Sequence, residues 1–110
     1  MPRGTAYDAF KRDNLLLEFI RQHRGEANLV SSREVRSFLN EHGYQMARYS
    51  IGNVITRVMY ERNAPICYSS SKGYYWAASR TEIEKTIADM KARQESLQEH
   101  IDHLRGFIVD

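Results

Sequence analysis

The amino-acid sequence predicts an α+β fold that is mostly α: three short helices, a β-hairpin and one long C-terminal helix. Three observations carry this. Ile51, Val54, Ile55, Val58 and Met59 recur at helical spacing and make one apolar face. The run ICYSSSKGYYWAASR, Ile66 to Arg80, sets two aromatic, β-prone stretches on either side of a small polar turn. Ile83, Ile87, Met90, Gln94, Leu97, Ile101, Leu104 and Ile108 follow alternating steps of four and three, a heptad seam over more than three repeats.

The elements follow in order. A first helix is expected from Tyr7 to about His23, where Phe10, Leu16, Leu17 and Ile20 form a stripe that Leu15 and Phe19 widen. Arg24-Gly25 ends it with a favoured terminating glycine. Ala27 to Val30 reads as one short strand. Ser31 and Glu34 have the spacing of a capping box and start a second helix, roughly Ser32 to His42, with Val35, Phe38 and Leu39 inward. Ser50 is the expected cap of the third helix, which ends near Asn63 because Pro65 disfavours helix in the residue before it. A lone hairpin is marginal in water, so residues 66–79 must pack on these helices, with Trp76 expected in the core. Thr81 is the expected cap of the long helix, with Glu82 and Glu84 near its positive end.

A chain of 110 residues, 42% hydrophobic, fits one domain and one added element, so residues 1–79 are read as the body and 80–110 as a tail. No run of about 18 apolar residues offers a membrane span, and the first ten residues lack the apolar stretch of a signal peptide. A single cysteine, Cys67, cannot form an internal disulfide. These features lead to the expectation of a cytoplasmic protein without membrane partners. The body holds eleven Lys and Arg against seven carboxylates, the tail five against seven. Nine of the eleven body cations are arginines, which can fork onto phosphates or base edges.

No Gly-rich phosphate loop, H-E-x-x-H or G-x-S-x-G appears, and no nucleophile has an evident base, so neither an enzyme nor a cofactor is expected. His100 and His103 share a helix face, but two histidines without further ligands read as solvated side chains rather than a metal site.

The stretches SSREVRSFLNEHGY, SIGNVITRVMYERN and ICYSSSKGYYWA, in this order, resemble the winged helix-turn-helix domain over about residues 6–79. The body-plus-tail layout is similar to small bacterial repressors of the PadR type. The resemblance implies a third helix in the DNA major groove and a hairpin wing on backbone or minor groove. Burying Ile51, Ile55 and Val58 should turn Asn53, Thr56, Arg57 and Tyr60 outward, where Arg can fork onto guanine and Asn onto adenine. Arg48, Tyr49 and Ser50 precede the helix, where phosphates meet exposed N–H groups. Ser70, Ser71 and Lys72 at the hairpin tip can contact phosphates, although a serine-rich turn is equally a soluble turn. Arg33 and Arg36 can hold the backbone or stand in solvent.

With Ile87 at an a position, Gln94 and Ile101 are also a, and Leu97 and Leu104 are d. So narrow a seam needs another helix, and the simplest is the same helix of a second chain. The alternative is that the tail folds onto the first helix. The functional expectation is a dimeric DNA-binding protein, a transcriptional regulator. A protein-interaction module, an inhibitor or assembly adaptor (one of phage origin included), suits the modest charge and the exposed tyrosines Tyr44, Tyr49 and Tyr60. A replication or partition accessory would combine both properties.

Overall fold

A computed structural model describes residues 6–48, 50–69 and 73–108. Four α-helices and two strands follow the expected order: α1 (Ala6–Arg21), α2 (Ser32–Glu41), α3 (Ile51–Glu61), β1 (Ile66–Ser69), β2 (Gly73–Trp76) and α4 (Arg80–Arg105). The fold is mostly helical, with a small antiparallel sheet and a long last helix. Among the described residues no helix is long and apolar enough to cross a membrane.

The main core joins α1, α2 and α3 through Leu16, Ile20, Val35, Leu39, Ile51, Ile55 and Val58, with Val30 and Ile66 closing it from the sheet side. Full burial of a Leu or Ile side chain stabilises by roughly 1.5–3 kcal/mol, so this cluster dominates the stability of the body. The capping box forms as expected: Ser31 Oγ accepts from Glu34 N–H at 3.1 Å, and Glu34 Oε1 accepts from Ser31 N–H at 3.2 Å. Tyr7 and Phe10 at the start of α1 stay outside the core. Their rings lie under cations instead, Lys11 over Tyr7 and Arg62 over Phe10.

Ala27–Val30 differs from the expected strand. Glu26–Asn28 is a single 3-10 turn, and only Val30 bridges to Tyr74, with Arg24 bridging to Trp76. Gly25 lies at φ 87, a left-handed conformation that breaks the extended path. The outer edge of β2 is still satisfied: Val30 and Tyr74 exchange both backbone bonds at 2.8 Å, and Trp76 N–H donates to His23 O at 2.8 Å. Gly73 permits this approach, because a Cβ there would lie 2.2 Å from Val30 O. In the hairpin Ile66 pairs with Trp76 and Ser69 with Gly73. Among the described residues Tyr75, not Trp76, is the fully buried aromatic. Strand alternation sends Gly73, Tyr75 and Ala77 to one face, and leaves Tyr74 and Trp76 half-buried against the helical core.

The cap of α4 lies two residues earlier than expected: Ser79 rather than Thr81 caps it, its Oγ accepting from Glu82 N–H at 3.3 Å. The helix packs chiefly on β1, not along α1, beside the second small cluster of Cys67, Tyr75 and Ala77.

Candidate nucleic-acid interface

Helical periodicity puts Asn53, Thr56, Arg57 and Tyr60 on one side of α3, opposite Ile51, Ile55 and Val58. Asn53, Thr56 and Tyr60 are exposed. The Thr56 hydroxyl donates to Gly52 O at 2.9 Å, leaving its methyl and lone pairs outward. Gly52 itself makes room for the hairpin: a Cβ on it would sit 3.3 Å from the Tyr74 hydroxyl. Burial, and secondly the nearby Tyr68, raise the Tyr74 pKa. Ser50 is half-buried and its carbonyl accepts from Val54 N–H, but its side chain makes no capping bond. Tyr49, Ser70, Ser71 and Lys72, also expected at the interface, lie outside the described residues.

Arg57 differs from expectation. Its guanidinium turns toward α1 rather than standing clear. It donates to both oxygens of Asp13, at 3.1 and 3.2 Å, and to Glu61 at 2.7 Å. Asp13 is 4% exposed, and Arg12 supplies its second cation at 3.2 Å. A carboxylate taken out of water must be paired, and this one draws Arg57 inward across the α1–α3 contact. The Asp13 bond is also the main reason the Arg57 pKa is raised. Sequence reasoning missed Asp13. Its signal was position: three residues before Leu16 and seven before Ile20, it falls inside the apolar stripe.

A cluster of cations stands free of such pairing. Ser32, Arg33, Arg36 and Arg48 line a cavity of about 310 Å³. Arg36 Nε donates to Met46 O at 3.0 Å, and Met46 N–H donates to Asn40 Oδ1 at 3.2 Å. These bonds pin the α2–α3 loop onto α2 and so bring Arg48 beside Arg33. Among the described residues neither Arg33 nor Arg48 has an acidic partner. Ser32 opens α2, whose positive end adds to the field. Three guanidinium groups around a space without a carboxylate suit an oxyanion such as phosphate.

The seam of α4 is open. Ile83 is 39% exposed and Leu97 63%, and Ile87, Met90, Ile101, Leu104 and Ile108 fall in or above that range. Gln94 is also exposed. The body instead grips a polar side of the helix. Glu82 accepts from the backbone N–H of Glu26 and of Ala78, each at 2.8 Å, and these bonds hold its pKa below the usual carboxylate range. Lys85 pairs with Glu26 at 3.0 Å, Thr86 is buried, and Arg93 stacks over Tyr68. Between α3, the hairpin and α4 a groove of about 250 Å³ is lined by Met59, Tyr68, Tyr74, Met90 and Arg93 among others. His103 packs edge-on against Phe107. No family model, no curated protein and no solved structure matches this chain.

Proposed function

We propose that this chain is a dimeric DNA-binding protein acting as a transcriptional regulator, with a winged helix-turn-helix body over residues 1–79 and a pairing helix over 80–110. The observation that carries the reading is the carboxylate-free arginine cavity of Arg33, Arg36 and Arg48. It joins the start of α2 to the segment entering α3, the place where a helix-turn-helix grips backbone phosphates. α3 then enters the major groove with Asn53, Thr56 and Tyr60 toward the bases and their phosphates. Arg57 sets the angle of α3 through Asp13 and is not a base reader while so held. Ser50 and Tyr49 accompany Arg48 at the helix start. Ser70, Ser71 and Lys72 at the wing tip reach backbone or minor groove. The exposed seam of α4 supplies the second copy.

Fluorescence anisotropy with mixed-sequence duplex DNA tests the reading. Affinity should fall steeply between about 50 and 200 mM salt. Arg33→Ala and Arg48→Ala should each lower affinity for all sequences alike and reduce the salt slope by about 1. Absence of binding at 50 mM salt would reject it in favour of a protein partner.

A further inference from the structure

We infer that two copies of this chain pair through α4 in antiparallel orientation, so that the distal half of each α4 lies beside the proximal half and body of its partner. The inference rests on the dimer reading above and adds the direction of pairing.

The first support is the side of α4 that the body leaves open. Glu82, Thr86 and Arg93 face the body, so the seam runs free along their flank and continues at Met90 into the groove beside Tyr68. From Lys91 onward α4 is exposed all round. An antiparallel partner lays its own distal half over the open proximal strip. The alternating spacing of the seam reads the same in both directions. Ile83 therefore meets the partner's Ile108, Ile87 meets the partner's Leu104, and Met90 meets the partner's Ile101. Gln94 meets the partner's Leu97, and the two Gln94 amides, offset by three residues or about 4.5 Å along the axis, remain within reach of each other. Phe107 is 72% exposed and lies off the seam.

The second support is charge. From Arg80 to Arg93 the helix has four Lys and Arg against three carboxylates; from Gln94 to Arg105 it has one against three. Antiparallel pairing sets unlike halves together, and parallel pairing sets like halves together. Beside the seam, antiparallel pairing brings Glu84 next to the partner's Arg105, twice by symmetry. Parallel pairing puts Arg105 next to the partner's His100 and Arg93 next to the partner's Gln98, with no pair of opposite charge.

Disulfide trapping in a Cys67→Ala chain tests the direction, with the mass in solution measured by light scattering and folding checked by circular dichroism. Chains with Ile87→Cys, mixed under mild oxidation with size-tagged chains with Leu104→Cys, should form the mixed covalent dimer. Leu104→Cys alone should form none. Ile83→Cys with Ile108→Cys provides a second pair if one site perturbs folding. Trapping of Leu104→Cys with itself, or a dimer in which neither mixed pair is trapped, overturns the antiparallel register and leaves the dimer reading standing. A monomer at tens of micromolar overturns both.

Discussion

At the scale of single residues, the pairing of Asp13 with Arg57 ties α3 to α1 beside the apolar core. Asp13 is 4% exposed and held by two arginines, which offset the hydration its carboxyl group loses on burial. Removing one partner of a fully buried pair costs about 3–5 kcal/mol. Here Arg57 keeps 40% of its side-chain exposure and Arg12 remains, so solvent screens part of the loss. Arg57→Ala should therefore destabilise the body by about 1–2 kcal/mol, read as a shift of the urea midpoint at unchanged slope. Asp13→Asn should cost a comparable amount. If both variants unfold like the parent, the pair does not hold α3. Duplex binding by the Arg57→Ala chain separates a positional from a base-reading role. A base reader loses discrimination between duplexes, whereas loss of this contact should weaken binding to all of them together. Gly73 is the other residue whose identity is dictated locally. A Cβ there would lie 2.2 Å from Val30 O, against a backbone atom with no room to retreat. Gly73→Ala should therefore cost about 3 kcal/mol in the same denaturation measurement.

At the scale of elements, one carboxylate contributes two of the bonds that attach the start of α4. Glu82 accepts from Glu26 N–H and Ala78 N–H, and its pKa in the fold lies below the ordinary value of 4.5. A depressed folded pKa contributes stability that is present above the unfolded value and is lost as pH falls through the folded one. The stability difference between the parent and Glu82→Gln should thus be full at pH 6–7 and shrink steadily below about 4.5. A difference independent of pH would assign the role of Glu82 to shape rather than charge. Most of the element order was legible because periodicity and caps are local. Ser31 and Glu34 announced α2, Pro65 and Asn63 the end of α3, and the heptad steps α4. What could not be read depended on distant partners. Val30 finds its bridge partner in Tyr74 of a later strand, and the neighbouring Gly73 makes room for its carbonyl. Arg57 looked free because its partner lies 44 residues away on α1. The arginine cavity had the same difficulty: Arg33, Arg36 and Arg48 were each visible, but only the bonds at Met46 bring them together.

At the scale of the whole molecule, the proposed grip and the proposed pairing surface lie on different parts of the chain, so they can be broken separately. Arg33, Arg36 and Arg48 belong to the body, while α4 from Gln94 to its end touches none of it. Two linked bodies on one duplex make the second binding event intramolecular, and avidity of this kind adds about 10²–10⁴ in apparent affinity without any new contact. A two-fold dimer also calls for a partly palindromic site. Leu97 and Leu104 are 63% and 58% exposed, so charges placed there should leave the body intact. The double change Leu97→Glu and Leu104→Glu should give a monomer by light scattering, with the thermal midpoint of the body unchanged. Its affinity for a duplex carrying a single half-site should match that of the parent. Its affinity for a duplex carrying both half-sites should fall by about two orders of magnitude or more. A monomeric variant that binds the two-site duplex as tightly as the parent would show that α4 does not serve DNA binding. Pairing would then serve a purpose other than DNA affinity, and the arginine cavity would have to act within one chain alone.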